Sequence, residues 1–115
     1  MMDRPAVVCI CGSTRFLTAL NAARHKETLA GKIVVSSEVY FQTDPDLQRL
    51  GTSEALALKE RMDELHLRKI DIADEVLILN VGGYIGESTA RELRYAVTHG
   101  KTIRFLEGTP LERWT

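Results

Sequence analysis

The residues best placed to do chemistry fall in two short segments. Gly12-Ser13-Thr14-Arg15 can bring backbone N–H groups, two hydroxyls and a guanidinium onto one anion, as a phosphate requires. The same residues also fit an ordinary tight turn with a hydroxyl cap and an exposed arginine. The second segment runs from Asn80 to Leu93. Its glycines Gly82, Gly83 and Gly86 let the backbone approach a ligand closely, Tyr84 adds a ring, Ser88 and Thr89 add hydroxyls, and Glu92 adds a carboxylate. Thr89-Ala90-Arg91-Glu92 satisfies the S/T-x-x-E capping box, which would spend that carboxylate on the backbone of its own helix. A helix beginning earlier, at Gly86 or Glu87, would instead put Glu92 in the second turn with its carboxylate free.

Other chemistries lack their residues. Neither G-x-x-x-x-G-K nor G-x-G-x-x-G is present, so the nucleoside triphosphate and NAD readings drop away, and no G-x-S-x-G elbow offers a serine nucleophile. His25, His66 and His99 form no i, i+4 pair and have no cysteine beside them in the chain, so no dedicated metal site is expected. His66 shares a helix face with Met62 and Ile70, where an imidazole is either a satisfied residue at the core edge or an acid–base group. Cys9 and Cys11 point to one face of a strand and read as buried free thiols. Asp71 and Asp74 suit turn roles. Tyr40, Phe41 and Tyr84 are the aromatics able to stack on a planar base, and Trp114 reads as terminal packing.

The elements that must position these residues follow from period. Ala6 to Cys11 is continuously apolar, as a strand covered on both faces should be. A helix capped by Ser13 or Thr14 should run to about Ala30, burying Phe16, Leu20, Ala23 and Leu29, with Gly31 as its stop. Lys32 to Ser36 reads as a strand and Ser37 to Gly51 as a long loop over a site. Ser53 to Ala73 reads as a helix with Leu58, Met62, Leu65 and Ile72 inward and Ile70 on the flank. A strand over 76–81, a glycine-rich turn over 82–86, a helix over 87–99 closed by Gly100 and a strand over 101–106 complete the chain.

Such alternation predicts an α/β fold: a three-layer, doubly wound parallel sheet of four to five strands in the flavodoxin-like or Rossmann-like manner. Ligands in such sheets sit beyond the carboxyl ends of the strands where strand order reverses, so the loops after the first and third strands should flank one crevice. The 115 residues suit one domain, and fifteen Lys and Arg against sixteen Asp and Glu leave a net charge of −1. That balance gives no footprint for nucleic acid or an anionic membrane surface. The apolar runs are strand-sized, shorter than a membrane span or a signal-peptide core, and the expected location is cytoplasmic.

Together the two loops resemble a known family. Cys11-Gly12-Ser13-Thr14-Arg15 resembles the first loop of the 2′-deoxynucleoside 5′-phosphate N-hydrolases. Ala73-Asp74-Glu75-Val76 through Glu92-Leu93-Arg94-Tyr95-Ala96 and Gly100-Lys101 is similar to the corresponding half of the nucleoside 2-deoxyribosyltransferase superfamily, to which those hydrolases belong. The resemblance implies a single domain of that type over residues 1–115, acting on a nucleoside or nucleoside 5′-monophosphate. It also implies Glu92 as the nucleophile of N-glycosidic cleavage or deoxyribosyl transfer and no cofactor. Gly12, Ser13, Thr14, Arg15, Gly82, Gly83, Tyr84, Gly86, Ser88 and Thr89 would then bind substrate, and subunits would pair into a homodimer or larger assembly. His66 stands where the family usually carries an aspartate that assists the departing base, and is assigned the same proton-donating role. The alternative is a nucleotide-binding module with this crevice and no turnover.

Overall fold

Val7–Cys11 is buried at every position and forms β1 at the centre of the sheet. Residues 4–108 are described by the computed structural model, and Trp114 lies outside them. After β1 come α1 (Leu17–Leu29), β2 (Ile33–Val35), a short α2 (Pro45–Gln48), α3 (Thr52–Ile72), β3 (Glu75–Ile78), a 3₁₀ turn (Val81–Gly83), α4 (Glu87–Thr98) and β4 (Thr102–Phe105). All pairings are parallel, in the order β2-β1-β3-β4, so the expected α/β fold is present with four strands among the described residues.

Strand alternation divides the core into two layers. Val8 and Ile10 of β1, with Leu77 and Leu79, pack under Leu20 and Ala23 of α1. Val7, Cys9 and Cys11, with Val76 and Ile78, face Ile70 of α3 and Leu93 and Ala96 of α4. Below the strands' N-terminal ends the buried Glu27 is bound by Arg104 and Lys32, and both cations also reach Glu75. Burial drives the Glu27 carboxyl upward, but Arg104 and Lys32 outweigh it and leave the group below its ordinary pKa.

Four local expectations are corrected. Neither Ser13 nor Thr14 caps α1, which starts at Leu17 behind Phe16 without a side-chain cap. Their hydroxyls are engaged in the turn itself, Ser13 Oγ accepting from Arg15 N at 3.3 Å and Thr14 Oγ1 donating to Gln42 Oε1 at 2.6 Å. Leu29 is 75% exposed, because α1 presents only Leu20, Ala23 and Glu27 to the interior. On α3 the inward stripe passes through His66 and Ile70, leaving Leu65 and Ile72 at 46% and 61% exposure on the outer side. The long segment after β2 is also not wholly loop: Asp44 caps α2, accepting from Asp46 N at 2.9 Å.

Where β1 and β3 run out, Gly12 passes against Leu79. A Cβ there would stand 2.8 Å from Leu79 Cβ and 3.3 Å from Leu79 O, so only glycine allows the contact. Gly12→Ala should therefore destabilise the fold by about 1–3 kcal/mol through overpacking, as measured by chemical denaturation.

Candidate functional site

Strand order reverses between β1 and β3, and a cavity of about 530 Å³ opens beyond their carboxyl ends. This lies within the ordinary range of small-molecule sites, roughly 300–1,000 Å³. Gly12, Ser13, Thr14 and Arg15 form one wall, and Tyr84, Gly86, Ser88, Thr89 and Glu92 form the wall opposite. Residues of α3, among them Lys59, Asp63 and His66, close a third side, and the segment after β2 adds Ser37, Val39, Phe41 and Gln42.

Gly82 and Gly83, expected to bind substrate, do not line this space. Their φ angles of 62° and 81° require glycine, but for a turn that faces the end of β4. Asn80 clamps the Glu107 backbone there with bonds of 2.7 and 2.9 Å, and the Glu107 carboxylate accepts from Gly82 N at 3.0 Å. Tyr40 likewise turns away, its hydroxyl accepting from Arg24 at 2.6 Å. Asp74 sits at the other end of β1, accepting from Val7 N and paired with Arg4.

The start of α4 decides what Glu92 does. Gly86, in extended conformation, is the residue before the helix, and its carbonyl accepts from Ala90 N at 2.9 Å. Thr89 is thus a buried residue of the first turn, and the capping-box reading is overturned. Glu92 falls in the second turn, on the inner face of α4, at 8% exposure. Its carboxylate stands 3.9 Å from His66 Nε2. Burial pushes the Glu92 carboxyl above the usual carboxylate range, with the charge of His66 opposing. On His66 burial pulls downward, but the Cys9 hydrogen bond and the Glu92 charge prevail and leave the imidazole above its ordinary value.

His66 has cysteine partners after all. Its Nε2 lies 3.6 Å from Cys9 Sγ and 3.3 Å from Cys11 Sγ, a convergence of side chains that are distant in the chain. The strand period and the 62-66-70 helix stripe were the available signals, and each was visible only for its own element. His25 and His99 lie outside the cavity lining.

Cations mark the rim. Arg15 stacks over the Tyr84 ring at 5.0 Å, and Phe16 meets the same ring edge-on at 5.9 Å, so Tyr84 bridges the two walls. Lys59 Nζ lies 3.1 Å from Ser88 Oγ and 3.0 Å from Asp63, which also pairs with Arg91. Lys59 was not singled out from the sequence, although it lies one helical turn before Asp63 on the side of α3 that carries His66. No protein-family model, curated protein or solved structure matches the chain.

An acid buried beside one imidazole, with no arginine or lysine on its oxygens among the described residues, costs stability that a neutral isostere recovers. Glu92→Gln should fold normally and be as stable as the unaltered protein or more so, by up to about 2 kcal/mol, in thermal denaturation. A marked loss of stability would assign the carboxylate a structural bond instead.

Proposed function

We propose that the protein cleaves or transfers the N-glycosidic bond of a 2′-deoxyribonucleoside or its 5′-monophosphate. The observation that carries this reading is the placement of Glu92, buried and uncapped on a cavity wall that faces an anion-competent loop. In the proposed reaction a Glu92 carboxylate oxygen attacks C1′, and the bond from C1′ to the base nitrogen breaks with its electron pair going to the base. His66, beside the nucleophile, supplies the proton that the departing base takes up. Water then attacks C1′ of the glycosyl ester, releases the carboxylate and returns a proton to the imidazole; a second base in place of water gives transfer. This is the two-step displacement of retaining glycosidases.

Arg15, the Ser13 hydroxyl and Lys59 are the groups assigned to a 5′-phosphate, and Phe41 and Tyr84 offer faces to the base. The chemistry as written needs no cofactor. Two free buried thiols suit a reducing compartment, in keeping with a cytoplasmic enzyme. No helix among the described residues is long and apolar enough to cross a membrane.

A second reading, a nucleotide-binding module without turnover, draws on the imidazole at position 66, where the resembled family carries a carboxylate. The two are separated by incubating the protein with deoxynucleoside monophosphates and following free base by chromatography. Release by the unaltered protein, lowered by roughly 10⁴-fold or more in Glu92→Ala, supports the enzyme. Tight nucleotide binding by calorimetry with no base released supports the module. We also propose a homodimer, because Leu65 and Ile72, seven residues apart, leave apolar surface along the outer side of α3. Light scattering should give about twice the 12.9 kDa chain mass at micromolar concentration, and a monomer would refute the pairing.

A further inference from the structure

Beneath the cavity, where β1 passes α3, three side chains of metal-binding chemistry meet. Cys9 and Cys11 project from the same face of β1 and are fully buried. Both sulfurs face His66 Nε2, at 3.6 and 3.3 Å, and the three donor atoms all lie within 4.8 Å of one another. A thiolate sulfur and an imidazole nitrogen sharing a tetrahedral zinc ion, with bonds of ~2.3 and ~2.0 Å, stand about 3.5 Å apart. The two sulfur–nitrogen distances therefore already match those of ligands around one ion. The Glu92 carboxylate, 3.9 Å from the same nitrogen, borders the cluster on the cavity side. It supplies a fourth oxygen ligand or leaves that position to water, and the cavity supplies the entrance.

We propose that Cys9, Cys11 and His66 form a binding site for one soft divalent cation of the zinc kind per chain. Two sulfurs and a nitrogen select against magnesium and calcium, which take oxygen ligands. On binding, each thiol gives up its proton to solvent as its sulfur forms a bond to the metal, and no electron is transferred. The consequence for activity rests on the proposed glycosidic chemistry. With the Nε2 lone pair on the metal and the Glu92 carboxylate drawn to it, neither the proton donor nor the nucleophile is available. The loaded protein is then a resting form, and a chelator restores base release.

Cobalt(II) titration of the full, reduced chain under anaerobic conditions tests the site without any substrate. The expected result is a thiolate-to-cobalt charge-transfer band in the near ultraviolet with the strong visible bands of tetrahedral cobalt, saturating at one ion per chain and bleached by zinc. Cys9→Ser, Cys11→Ser and His66→Gln should each weaken binding by more than about tenfold, and the cysteine variants should also lower the charge-transfer intensity. Circular dichroism identifies any variant that fails to fold, and the unaltered protein is decisive alone. No charge-transfer band with cobalt in excess, or an unchanged titration in folded Cys11→Ser, overturns the site. Base release without a cobalt band refutes the metal site and leaves the glycosidase reading standing; a cobalt band with no base release even from the chelator-treated, metal-free protein does the reverse.

Discussion

The parallel pairing of β1 with β3 is the interaction on which the rest of the molecule depends. It runs from Val8 opposite Glu75 to Cys11 opposite Ile78. Backbone bonds of 2.8 Å extend it at both ends, Asp74 N to Val7 O and Leu79 N to Cys11 O. Beyond this pair the chain departs to opposite sides, from β1 toward β2 and from β3 toward β4. The two loops therefore diverge above a tightly joined floor, and the opening between them is a product of topology before any side chain is considered. Gly12 keeps that floor closed, because any Cβ there would crowd Leu79.

The same pairing fixes what lies at the edge of the opening. Alternation along β1 assigns Val8 and Ile10 to the α1 layer and both cysteines to the layer of α3 and α4. That second layer carries His66 and Glu92, so thiols, imidazole and carboxylate share one nearly dry volume at the border of the cavity. Polar groups in such a place weaken a core that hydrophobic residues would fill at less cost, and departures of this kind from consistent design mark functional positions. The opposite end of the sheet is different. There Glu27 and Glu75 are matched by Arg104 and Lys32, so their burial is compensated and calls for no chemical role.

How much of this was legible in the sequence depended on the range of the interaction. β1 was readable because every residue of Val7–Cys11 is apolar and covered, and α4 because Gly86 and Gly100 bracket its period. The convergence of the first and third loops followed from strand alternation alone. What failed was local polar choice. Thr14 had two partners of similar strength open to it, its own helix end and Gln42, and only the path of the segment after β2 favours the second. Gly82 and Gly83 were readable as a turn, but the way that turn faces was not, since Glu107, which orients it, is far along the chain. The meeting of His66 with Cys9 and Cys11 could not be read from spacing, because α3 must first dock across β1 to create it.

One modest feature bears on how the protein meets other copies of itself. β2 spans only Ile33–Val35 and forms one border of the sheet, next to the ion pairs of Lys32. An unpaired border this short offers few free amide and carbonyl groups in register, and a neighbouring lysine disfavours docking of a further strand. This border is thereby a poor template for continuous cross-β growth from the folded state.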